Sequence, residues 1–93
     1  MKYQIKRTNQ FKKDFQKCLK RGLNLAEFEE VINLLSVGAT LPPKYKDHPL
    51  RPSRDFMDCR ELYIQPDWLL IYKYLNDEVI LFLVRTGSHS DLY

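Results

Sequence analysis

The sequence predicts an α+β fold: an N-terminal strand, a helical hairpin, then a three-stranded antiparallel meander forming a twisted sheet with the helices on one face. Three observations predict it. Apolar residues recur on a 3.6-residue period from 11 to 35. Three apolar or alternating runs then follow between 59 and 85, separated by turn residues. Helices grouped ahead of a run of strands mark α+β organisation rather than alternating units. At 93 residues and 11.2 kDa the chain has room for one core, so residues 1–93 are read as a single domain.

Residues 2–7 alternate, with Tyr3 and Ile5 on one side and Lys2, Gln4 and Lys6 on the other, which predicts a short half-buried strand. Thr8 or Asn9 caps the first helix, whose stripe is Phe11, Phe15, Cys18 and Leu19 and whose end is Gly22. Asn24 opens the second, with Glu27 at capping-box spacing. Its stripe is Leu25, Phe28, Val31 or Ile32, and Leu35, and Gly38 ends it. So short a link predicts an antiparallel helical hairpin. Residues 38–55 hold four of the five prolines, which excludes a helix interior or central strand and predicts a long ordered surface loop. The strands are then 59–65, 68–75 and 78–85, turning at Pro66-Asp67 and Asn76-Asp77. The second is apolar on both faces apart from Lys73 and is therefore central. The last residues, TGSHSDLY, read as a turn and short tail.

Composition narrows the function. Hydrophobic residues at 44% and charged residues at 29% are globular values. No apolar run reaches the roughly 20 residues of a membrane helix, and the N-terminus lacks a signal-peptide core, so a cytoplasmic protein is expected. Cys18 and Cys59 are too few for a disulfide scaffold and are expected to pack rather than react. No metal-ligand spacing, glycine-rich phosphate loop or serine-nucleophile motif is present, and no cofactor is called for. The net charge of +3 is unevenly spread. Residues 1–21 carry eight Lys/Arg against one acid, Asp14, and 37–60 carry five bases against three acids. An anionic partner follows from that distribution, as does a merely solvated basic helix face.

His48 and His89, the only histidines, lie in the proline-rich loop and the post-strand turn, where sites form. Two imidazoles supply a general acid and a general base near neutral pH. RNA cleavage through its own 2′-hydroxyl needs those two groups and a cation for the phosphate. Arg85, closing the last strand, can fork onto a phosphate, or else pair with Asp67 or Glu61. Lys44, Lys46, Arg51 and Arg54 flank His48 and can hold neighbouring phosphates. Tyr45, Tyr63 and Tyr93 can stack on bases, whereas Trp68 opens an apolar strand and reads first as core.

The segments YKDHPL (45–50), QPDWLLIYK (65–73) and RTGSH (85–89), with an aromatic last residue, resemble the YafQ branch of the RelE superfamily. The resemblance runs nearly the full length. It implies a RelE-like fold and a toxin of a type II toxin–antitoxin system, a ribosome-dependent mRNA endonuclease working without metal. It implies as partners a DinJ- or RelB-like antitoxin, the ribosome with its mRNA, and operator DNA only through the antitoxin. It places His48, Asp67, Trp68, Arg85, His89 and Tyr93 on the family's active-site set. His89 would protonate the leaving oxygen, His48 or Asp67 would take the 2′-OH proton, Arg85 would hold the scissile phosphate, and Tyr93 would place a base. Where some members carry a further histidine this chain has Tyr63, a poor base at neutral pH, which shifts the burden to His48. Two other readings stand beside it: a non-enzymatic inhibitor of the related ParE type, and a plain basic RNA-binding module. Neither needs two histidines and an arginine in one place.

Overall fold

The computed structural model describes residues 2–93. Strand β1 (Gln4–Arg7) leads into helices α1 (Asn9–Lys20) and α2 (Leu25–Ser36). A 3₁₀ turn, Pro43–Tyr45, precedes β2 (His48–Pro49). Strands β3 (Arg60–Gln65), β4 (Trp68–Leu75) and β5 (Ile80–Gly87) follow, and α3 (His89–Leu92) comes last. They make one sheet in the order β1-β5-β4-β3-β2, so β4 is central, as its apolar faces predict. All neighbours pair antiparallel except β1, which runs parallel to β5. No helix among the described residues is long and apolar enough to cross a membrane.

The first helix starts where Thr8 accepts the Phe11 N–H at 2.9 Å, so Thr8 rather than Asn9 is its cap. It stops at Gly22, whose φ of +79° suits a residue without Cβ. Asn24 caps α2 by accepting from Ala26 and Glu27. The expected capping box is replaced by a tertiary contact: the Asn24 N–H donates to Gln65 Oε1 at 3.3 Å.

Both long helices cover one sheet face. Phe11, Cys18, Val31 and Leu35 pack there on Leu62, Trp68, Leu70, Leu81 and Leu83. Buried apolar surface of this kind supplies most of the folding free energy. On the opposite face Leu69 and Ile71 form a smaller core with Cys59 and Leu92, flanked by Leu50, Phe56, Tyr63 and Val84. Both cysteines are buried free thiols, and burial raises the pKa of each, which keeps them inert.

Several elements differ from expectation. β1 is a short edge strand with no covered face, so Ile5 is 40% exposed rather than half buried. Leu19 and Leu25 point outward, while the acid Asp14 takes the inner position on α1. His48–Pro49 joins the sheet against Glu61 and Arg60, an edge position that tolerates proline. Strand β5 starts two residues late because Asn76–Glu78 forms a 3₁₀ turn with Val79 left-handed, and it runs on past Arg85 to Gly87. The tail is a helix that packs Leu92 onto the second face. The sheet therefore carries α-structure on both faces.

Candidate active site

The segment YKDHPL runs from the main core to the edge of the sheet. Tyr45 is buried in the main core, which anchors the segment and removes it from any stacking role. Lys46 adopts a left-handed conformation, φ +51°, and turns the chain toward the sheet edge. Asp47 is held by both Arg60 nitrogens, at 3.0 and 3.3 Å, and by the Tyr72 hydroxyl at 2.5 Å. Burial and the Asp47 carboxylate raise the Tyr72 pKa, so that hydroxyl stays a donor. His48 then pairs across the strands with Glu61.

His48 is gripped at both nitrogens. Nδ1 lies 2.7 Å from the Lys46 carbonyl, which can only accept, so Nδ1 carries a proton. Nε2 faces Glu61 Oε1 at 3.3 Å. The Glu61 side chain is 6% exposed and that of His48 44%, so the pair has an open and a sheltered side. The second Glu61 oxygen accepts a short hydrogen bond from Tyr93. Burial and the Glu61 carboxylate push the Tyr93 pKa up and keep that hydroxyl protonated.

His89, with a side chain 53% exposed, is held just as closely. Asp67 Oδ1 accepts from its backbone N–H at 3.2 Å and from its Nδ1 at 3.3 Å. Nε2 is thereby turned to the Tyr63 hydroxyl, 3.2 Å away. The His89 ring centre lies 5.6 Å from that of Tyr63 and 6.2 Å from that of Tyr93. Through Tyr93 and Glu61 the two histidines thus belong to one cluster on one sheet face. Asp67 serves here to fix the His89 tautomer.

Arg85, expected at the scissile phosphate, is already paired. Arg85 Nε and Nη2 bond both oxygens of the buried Asp14, at 2.8 and 3.1 Å, and neither Asp67 nor Glu61 is its partner. The cationic group inside the cluster is Lys46, whose Nζ stands 5.8 Å from the Tyr63 ring centre. Lys44 Nζ lies 4.9 Å over the Tyr45 ring, and Arg51 and Arg54 are exposed on the segment after β2. A cleft of about 650 Å³, within the range of small-ligand sites, runs from His89 and Tyr63 past Lys46 and Lys44 to Gln65. Trp68 is fully buried and donates from Nε1 to Thr86 at 2.7 Å, which takes it out of the RNA interface.

Burial would raise the Asp14 pKa, but hydrogen bonds from Arg85, Gln10 and the Thr86 N–H outweigh it and hold the carboxyl below its ordinary value of 3.8. Its stabilisation is complete above that value and fades as acidity approaches the lower folded one. Asp14→Asn should therefore lose on the order of 1–3 kcal/mol at neutral pH. Thermal unfolding should show the gap to wild type closing as the pH falls below the ordinary carboxyl value of 3.8. A gap independent of pH would contradict the assignment.

Glu61 is the member whose role the sequence left unread; Lys46, expected at a neighbouring phosphate, stands beside the Tyr63 ring. Glu61 alternates with Tyr63 on β3 and with Cys59 just before it, which signals a shared face, but its partner His48 appears only once β2 is placed.

The YafQ model, described as the bacterial toxin of type II toxin–antitoxin systems, matches residues 3–93. The chain is 37% identical over 90 residues to the mRNA interferase toxin YafQ of Escherichia coli K12, covering 96% of this chain and 94% of that protein. A crystal structure of a metal-bound toxin from Helicobacter pylori superposes with a TM-score of 0.89 at 41% identity, covering 98% and 99% of the two chains. The crystal structure of the E. coli DinJ–YafQ toxin–antitoxin complex gives 0.86 at 33% identity, covering 100% and 99%. The fold and these matches agree, and the chain belongs to the YafQ family of type II toxins.

Proposed function

We propose that this toxin is an mRNA endonuclease that cuts transcripts on the ribosome, using the 2′-hydroxyl of the RNA as nucleophile. The observation that carries the reading is the pair of carboxylate-held histidines on one open face, His48 with Glu61 and His89 with Asp67. The His48–Glu61 pair accepts the 2′-OH proton, with Glu61 stabilising the imidazolium formed. The 2′-oxygen bonds to phosphorus and the bond to the 5′-oxygen breaks. His89, entering the step as the imidazolium with Asp67 holding Nδ1–H, delivers its Nε2 proton to that leaving oxygen and is left neutral. Lys46 steadies the charge that builds on the phosphate, and Arg85, with its Nε proton and one Nη2 proton committed to Asp14, keeps Nη1 and the other Nη2 proton for a flanking one. Tyr63 and Tyr93 border the rings and offer faces to neighbouring bases. Lys44, Arg51 and Arg54 hold the backbone outside the cleft.

A DinJ-like antitoxin is the neutralising partner, by analogy with the complex seen for the E. coli relative, and carries any contact with operator DNA. The site of action is the cytoplasm, where ribosomes engage mRNA. Mapping transcript ends in a purified translation mixture tests the reading. Wild type should produce new ends within translated codons, and only with ribosomes present. Equal cutting of free RNA would remove the ribosome from the account, and no cutting in either would remove the activity.

A further inference from the structure

His89 and Tyr93 are carried by α3 and the residue after it, and α3 has only four residues. A single helical turn does not hold itself together in water. Beyond Leu92 in the second core and the His89 N–H on Asp67, what fixes it is concentrated on Asp91. Its Oδ2 accepts from the Ser88 N–H at 3.0 Å and from Arg21 Nη1 at 2.5 Å. Its Oδ1 accepts from Arg21 Nη2 at 3.1 Å and from Lys17 Nζ at 3.5 Å. Ser88 Oγ accepts the Asp91 N–H in return, closing a capping box. The carboxylate rests directly on Gly87, where an added Cβ would lie 2.9 Å from Asp91 Cβ and Oδ2. The glycine of the RTGSH segment thus makes room for this carboxylate. Arg21 closes α1, so a two-pronged ion pair spans from the end of one helix to the turn bearing His89. Hydrogen bonds from Arg21 and Ser88 hold the Asp91 carboxyl well below the usual carboxylate range, so it stays ionised wherever the protein works.

We propose that Asp91, clamped by Arg21, is a positioning residue that sets the rotation of α3 and so the aim of His89 Nε2. The kinetic consequence rests on the nuclease reading above, but the geometric one does not. The test uses Arg21→Ala, since Arg21 is exposed and its loss leaves both cores intact. Imidazole ¹⁵N and ¹H resonances of His89 are recorded without RNA, and kcat and KM are measured with ribosomes. The clamp predicts displaced His89 resonances and a kcat lower by on the order of tenfold, for a group moved out of line. It predicts a KM changed by less than about twofold. Arg21→Lys, which keeps the charge but not the fork, should recover part of both losses. Asp91→Asn should reproduce the displaced resonances from the other side of the clamp. Resonances of Arg21→Ala that overlay wild type would overturn the proposal: with a fallen kcat Arg21 would act on RNA directly, and with an unchanged kcat it would have no part in aiming His89. If wild type itself fails to cleave, the nuclease reading falls while the resonances still decide the clamp.

Discussion

His89→Ala is expected to cleave mRNA about 10²–10⁴-fold more slowly than wild type, the usual contribution of a placed proton donor. Cells should then express it without growth arrest. The fold should survive, because the His89 ring is more than half exposed and its contacts are to Asp67 and Tyr63 rather than to either core. Two readouts check this: growth after induction, and single-turnover cleavage with ribosomes. Thermal unfolding within a few degrees of wild type shows that chemistry, not folding, was lost. Wild-type toxicity in the alanine variant would remove His89 from the reaction and leave the RNA-binding or inhibitor readings in its place.

Trp68→Ala should also abolish activity, for a different reason. Trp68 lies in the main core, its ring centre 6.0 Å from that of Phe28, and its Nε1 is committed to Thr86. Truncating so large a buried ring costs about 3–5 kcal/mol. That is a large share of the 5–15 kcal/mol that holds a typical domain together. Urea unfolding should show a sharply lower midpoint with unchanged slope. Trp68→Phe, which keeps most of the ring volume, should retain a measurable part of both stability and cleavage. A Trp68→Ala protein as stable as wild type but unable to cut RNA would return the indole to the RNA interface.

The two fates of the Pro-Asp-Trp segment show where a sequence is legible. Apolar period separates helix from strand, so α1, α2, β3, β4 and β5 are readable, and so is the central place of β4. Period fails where an element exists only because of its neighbours. His48–Pro49 is a strand because Glu61 and Arg60 offer their edge, and α3 is a helix because Asp91 is tied back to Arg21. Each carries one of the two histidines of the candidate site, so the least legible elements are the ones that place them. Charge counting fails in the same way. Asp14 looks like one acid among eight bases, yet it faces inward and takes Arg85 out of the cleft, and Lys46 becomes the cation beside Tyr63. The two histidines stood out by residue type, but the loop and turn expected for them are a strand, β2, and a helix, α3. The partner Glu61 did not stand out, since cross-strand pairing depends on register, which β2 alone supplies.

Proton delivery by His89 to the departing 5′-oxygen is tested most directly by changing that oxygen. An mRNA with sulfur at the 5′-bridging position of the cut linkage has a leaving group that needs no proton. On it, His89→Ala should cleave at nearly the wild-type rate, while His48→Ala, which lacks the ring that takes the 2′-OH proton, should stay slow. If sulfur fails to restore His89→Ala, the ring does not protonate the leaving group, and the division of labour between the two histidines is wrong.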